Sequence, residues 1–154
     1  MRCSLVDRAI DSCALLAEVA NHHNGATVLF VGTVRDVNDG SAVSGLDYSA
    51  YASMADGELA AIVAETAERF ATRDIVVEHR VGSLALGEAS VGIAVGHPHR
   101  GEAYEASRYI IEELKKRLPI WKREHYVDGQ SEWVQNSTAA LGFGLSAMEK
   151  QSHD

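Results

Sequence analysis

Five cations and no acid stand within nine residues of this chain, in the run Lys115-Lys116-Arg117-Leu118-Pro119-Ile120-Trp121-Lys122-Arg123. Half of all its Lys and Arg residues, 7 of 14, fall between Arg100 and Arg123. Cations are favoured where a helix dipole is negative, so a solvated basic helix end explains part of the run. Spacing argues for more. Lys115 lies four residues after Ile111 and three before Leu118, at the border of an apolar helical face. Its stem can pack there while its amine reaches a pocket. Pro119 ends the helix and turns the chain, so Lys122 can return to the same neighbourhood. Two lysines crowded by other cations are expected to lose basicity, which favours a nucleophilic or proton-shuttling amine.

His97-Pro98-His99-Arg100 precedes the last helix. Free backbone N–H groups at a helix N-terminus attract anions, and Arg100 can hold a phosphate bidentately. Helix capping is the plainer reading of the same segment. A metal pair of His97 and His99 lacks the further ligands that a tetrahedral site requires, so no metal and no cofactor are expected. Gly32-Thr33-Val34-Arg35 sets a cation just beyond a buried strand, where a rigid scaffold can project it. His79-Arg80 is similar, with a structural ion pair as the alternative for Arg80. There is no Walker loop, no GxGxxG and no nucleophile elbow, which leaves P-loop hydrolysis and Rossmann-type hydride transfer unsupported. What remains is a cationic site for an anionic small molecule, an anionic protein terminus, or both.

The elements that must position these residues follow from periodicity. Ile10, Cys13, Ala14 and Ala17 recur at helical spacing near 9–20, and residues 26–34 read as a buried strand. A turn-rich loop at 36–41 precedes a half-buried strand at 45–51, in which Leu46, Tyr48 and Ala50 alternate. A helix near 53–72 carries Leu59, Ile62, Val63, Thr66 and Phe70 on one face. Strands are expected at 74–81 and 89–96, separated by a turn at 82–87, and a last clear helix at 102–118. Strands interrupted by long helices indicate an α+β domain, not a regular βαβ winding.

The chain has 154 residues, 46% of them apolar, which suits one domain with its own core. Only two prolines and no linker or repeat mark a boundary, so one domain is expected over residues 1–134. The Ser-, Ala- and Gly-rich stretch at 135–154 reads as a peripheral tail. A net charge of −8 argues against a nucleic-acid-coating protein. No apolar run approaches a bilayer span, and the first residues lack a signal-peptide core, so a cytoplasmic protein without membrane association is expected. Cys3 and Cys13 cannot make a disulfide framework.

Taken in order, several segments resemble the large, catalytic subunit of molybdopterin synthase. They are Phe30-Val31-Gly32-Thr33-Val34-Arg35, Leu46-Asp47-Tyr48-Ser49-Ala50-Tyr51 with Met54-Ala55, His79-Arg80-Val81-Gly82, and His99-Arg100-Gly101-Glu102-Ala103-Tyr104. The strongest is Leu114-Lys115-Lys116-Arg117-Leu118-Pro119-Ile120-Trp121-Lys122-Arg123-Glu124, followed by Gly129 and Trp133-Val134.

The resemblance implies an α/β-hammerhead-like fold with an additional antiparallel β subdomain. It implies conversion of cyclic pyranopterin monophosphate (precursor Z) to molybdopterin, with sulfur carried as a thiocarboxylate on the Gly-Gly end of a small ubiquitin-like subunit. Two large subunits would form a homodimer at the centre of a heterotetramer. Carried over by motif, the essential lysines fall on Lys115 and Lys122, and the substrate- and tail-binding residues on Phe30, Arg35, His99 and Arg100. Both reactants are anions, so several fixed cations suit the task. Arg35 and Arg100 suit phosphate, and Lys115 suits the thiocarboxylate or a developing oxyanion. Lys122 suits proton transfer, with His99 in support. Two positions depart from the pattern: Ser49 replaces an acid, and Gln135-Asn136-Ser137 follows where a basic residue can occur. The rival readings are a non-catalytic adaptor gripping a ubiquitin-like tail in the same basic groove, and a homodimeric anion-binding protein.

Overall fold

The computed structural model describes residues 1–135, so all but the first residue of the expected tail lies outside the described residues. The fold is α+β, with three helices and two sheets. The elements in chain order are β1 (Arg2–Val6), α1 (Ser12–Val19), β2 (Ala26–Thr33), β3 (Val37–Asn38), β4 (Ser41–Ala50) and α2 (Ala52–Phe70). They continue with β5 (Ile75–Arg80), β6 (Gly82–Ala85), β7 (Ala89–His97), α3 (Arg100–Arg117), β8 (Ile120–Tyr126) and β9 (Ser131–Gln135).

The first sheet runs β1-β5-β7-β2, parallel only between β1 and β5. Both its faces are covered, which is why its central strands read as continuous apolar runs. Period-2 alternation sends Ile75, Val77, Ile93 and Val95 toward α2 and α3, where they meet Leu59, Ile62, Ile110 and Leu114. The intervening Val76 and Ala94 face α1 and its Leu15 and Val19. Asp11 caps α1 by accepting from the Ala14 N–H at 3.1 Å. The second sheet runs β3-β4-β8-β9, with β6 also paired to β4. Val34, Leu46 and Leu84 pack where the chain passes between the sheets.

Several expectations need correction. The segment at 82–87 is not merely a turn, because Gly82–Ala85 pairs with Gly45–Tyr48. Arg2–Val6 is a strand, supported by its pairing with β5 and not by its own pattern. Beyond Pro119 the chain forms β8, antiparallel to β4 and β9, and this strand does return Lys122 to the neighbourhood of Lys115.

Among the described residues, Glu78 is the most deeply buried carboxylate, at 1% exposure on the α1 side of β5. Burial pushes its pKa up, but bonds from Arg8 and Arg2 outweigh that and hold it below the usual range. The Nη2 atoms of Arg2 and Arg8 stand 2.8 and 2.9 Å from Oε2. A carboxyl with a depressed folded pKa contributes stability above its unfolded pKa, and that contribution is lost as pH falls. Glu78→Gln is expected to lower unfolding free energy by about 2 kcal/mol at neutral pH, with the gap to the native protein closing toward about pH 3. Urea titrations of both proteins at the two pH values measure this.

Candidate active site

An open cleft of about 650 Å³, including its solvent mouth, lies where the two sheets and α3 meet. Phe30, Gly32 and Arg35 enter it from β2 and the turn that follows, and Ser90 and Val91 from β7. Leu46 and Tyr48 come from β4, Ile111 and Lys115 from α3, and Lys122 and Glu124 from β8. Gly32 lets β2 lie close to β7, since a Cβ there would come within 2.8 Å of Val91 Cγ1.

Register explains the wall. Tyr48 pairs with Lys122 and Leu46 with Glu124, so period 2 turns all four side chains toward the cleft. Lys115 projects from the last turn of α3 and keeps substantial exposure while lining the cavity. Its pKa is lowered, first by desolvation and then by the charges of Lys122 and Arg35. Lys122 instead has a counter-charge, with its Nζ 3.2 Å from Glu124 Oε1.

Glu124 is 2% exposed and fully engaged. Its Oε2 accepts from Asn38 Nδ2 and from the Tyr126 hydroxyl, each at 2.8 Å. Burial alone raises its pKa, yet these bonds together with Lys122 bring it below the usual range. Tyr48 is held above its ordinary pKa by burial. Three cations against one committed carboxylate give the cleft a local positive charge within an acidic chain.

The structure therefore brings together Lys115, Lys122, Phe30 and Arg35. It does not bring His99 and Arg100 to the same cleft of this chain. They stand at the start of α3, and Lys115 is fifteen residues further on, about 22 Å along the helix. Both are exposed. Their neighbour His97 has its Nε2 2.9 Å from the Phe70 carbonyl, and its Nδ1 accepts from the His99 N–H at 2.9 Å; no side chain caps α3 directly. With both ring nitrogens engaged, His97 has none left for a metal. Among the described residues, no group of three or more His, Cys, Asp or Glu could hold a metal ion. Arg80 is ion-paired with Glu88, which makes it structural.

Sequence reasoning assigned no role to Tyr48 or Glu124. Alternation already put Tyr48 on an inward face. Ile120, Lys122 and Glu124 alternate in the same way along β8, but two of the three are charged, so apolar periodicity does not mark them.

Residues 5–117 match the family described as MoaE protein. The chain belongs to that family. It is 40% identical over 152 residues to the molybdopterin synthase catalytic subunit of Halalkalibacterium halodurans, covering 97% of each chain. To the Bacillus subtilis protein of the same name it is 38% identical, covering 99% of each. Among solved structures, molybdopterin synthase from Staphylococcus aureus superposes with a TM-score of 0.81 at 36% identity, over 86% of this chain and 96% of that one. A complex of subunits 1 and 2 of the molybdopterin-converting factor from Helicobacter pylori shares the fold, with a TM-score of 0.69 at 22% identity, over 86% of this chain and 90% of that one. As a family member the chain is a molybdopterin synthase catalytic subunit, a sulfurtransferase. No helix among the described residues is long and apolar enough to cross a membrane.

Proposed function

We propose that the cleft joins two anions, the thiocarboxylate end of a small ubiquitin-like carrier and the cyclic phosphate of precursor Z. The observation that carries this is the convergence of Arg35, Lys115 and Lys122 from three separate elements on one cavity of an acidic chain. The carrier's C-terminal Gly-Gly has no side chains, which lets its backbone lie close against the cleft wall beside Phe30. Its sulfur forms a C–S bond on the pterin side chain as a C–O bond there breaks, water then cleaves the S–acyl bond, and a second thiocarboxylated carrier repeats the sequence to complete the dithiolene. Sulfur stays on the substrate, and the carrier leaves with an ordinary carboxylate.

Lys115, partly desolvated where it lines the cleft, holds the thiocarboxylate oxygen and the oxyanion that develops from it. Lys122, oriented by Glu124, supplies or removes protons, and Arg35 holds phosphate. An adaptor would need only cations to grip a tail; an amine with depressed basicity favours chemistry.

His99 and Arg100 fit this scheme through a homodimer in which α3 of one copy presents its N-terminus to the cleft of the other. Two carriers on such a dimer give a two-plus-two assembly. The deciding experiment is dithiolene formation from precursor Z, with purified chain and thiocarboxylated carrier. Molybdopterin is expected only when all three are present. Carrier binding without any product would leave the adaptor reading.

A further inference from the structure

Behind Lys115 the cleft continues into a small recess walled by Tyr48, His79, Ser90, Leu114 and Leu118. It has room for about one water molecule. His79 is 5% exposed, on the face of β5 that also carries Ile75 and Val77 into the apolar core. Burying an imidazole is costly unless its nitrogens are used.

The His79 Nδ1 lies 2.9 Å from the Arg80 carbonyl. A carbonyl only accepts, so Nδ1 carries the hydrogen. Burial pushes the His79 pKa down to about 4, and the positive charge of Lys115 adds to the effect. The ring is therefore neutral, and Nε2 is an acceptor. No protein hydrogen bond to Nε2 is present among the described residues. The edge of Tyr48 fixes the ring, with centroids 5.1 Å apart and planes at 82°. A rigid neutral acceptor thus lines the recess that Lys115 also lines, while the charges acting on Lys115 from the cleft side are those of Lys122 and Arg35.

We propose that His79 is a positioning residue for Lys115: through the one water held between them, its Nε2 takes one N–H of the amine and turns the rest toward the cleft. This rests on the sulfur-transfer reading of the site. Among the groups lining the cleft and recess around Lys115, the titratable or charged ones are Lys122 and Glu124 from β8, Arg35 beyond β2, Tyr48 from β4 and His79 from β5. Only His79 and Tyr48 lie on the recess side, and Tyr48 has the Ser90 hydroxyl beside it.

The test compares native protein with His79→Phe, which fills the space without an acceptor, and with His79→Gln, whose amide oxygen stands near the Nε2 position. Two readouts are taken: steady-state dithiolene formation, and the pH dependence of Lys115 acylation by a small anhydride, read by peptide mass spectrometry. His79→Phe is expected to lower kcat about tenfold or more with KM within about twofold, because an oriented amine acts mainly on the transition state. The midpoint of Lys115 labelling is expected to move to lower pH, since an acceptor for the ammonium has gone. His79→Gln should recover most of both.

A purely structural role would lower Tm and leave the labelling midpoint where it was. A folded His79→Phe with native kcat and an unmoved midpoint overturns the proposal, as does a His79→Gln no better than Phe at equal Tm. If the Phe variant does not fold, His79→Met against His79→Gln decides in the same way. Labelling needs no substrate. A native protein that made no dithiolene would sink the sulfur-transfer reading, while the labelling would still decide whether His79 acts on Lys115.

Discussion

Lys115→Ala is expected to lower dithiolene formation by about a thousandfold while the protein stays folded and still binds its carrier. The size follows from what the amine does. Removing one donor to a developing oxyanion costs about a hundred- to a thousandfold, and loss of the same charge's hold on the thiocarboxylate puts the effect at the upper end. The fold should tolerate the change. Lys115 lies outside the buried face made by Ala103, Ala106, Ile110 and Leu114, and alanine is a better helix former than lysine. Removing a cation also relieves repulsion with Lys122 and Arg35, the charges that help depress the Lys115 pKa.

The same depression gives a pH signature. An ammonium with a lowered pKa loses its proton at lower pH than a free lysine, so the step that Lys115 supports as a charge should lose rate as pH rises, and earlier than an ordinary lysine would dictate. Single-turnover rates across pH, with circular dichroism on both proteins, measure both claims. A variant keeping half the native rate would remove Lys115 from the mechanism.

The cleft was partly legible in the sequence because its strongest signals are local. The 3.6-residue period located α2 and α3, and Lys115 at the margin of α3's apolar face was visible from spacing to Ile111 and Leu118 alone. β8 was not visible. Its inward positions after Ile120 are Lys122 and Glu124, so the alternation that marks a strand is written in charges, not in apolar residues. Those charges are tolerated because Lys122 and Glu124 pair with one another and Asn38 and Tyr126 complete the carboxylate. None of these partners can be paired from sequence without knowing the sheet. β6 failed for a related reason. Four residues beginning Gly82-Ser83 carry little strand preference, and pairing with β4 supplies the order. The motif match also grouped His99 and Arg100 with Lys115 in function, although the helix expected at 102–118 already stood between them.

That separation leads to a large expected effect. In a heterodimer assembled from one Lys115→Ala protomer and one Arg100→Ala protomer, about half of native activity is expected to return. Each homodimeric variant should be strongly impaired. Lys115→Ala loses the chemistry, and Arg100→Ala loses a charged bond to phosphate that contributes about 1.5–3 kcal/mol, or tenfold to a hundredfold below saturation. If Arg100 served the cleft of its own chain, both clefts of the heterodimer would carry one lesion and activity would stay low. The helix argues otherwise. About 22 Å of α3 lies between the two residues, far beyond the reach of two long side chains toward one phosphate. In a two-fold dimer with exchanged helix ends, one cleft takes both lesions and the other takes none. The experiment needs two affinity tags on co-expressed chains, tandem purification, and rates at substrate concentrations below KM. Activity no higher than the mean of the two homodimeric variants would place Arg100 outside the neighbouring cleft and end the two-fold scheme.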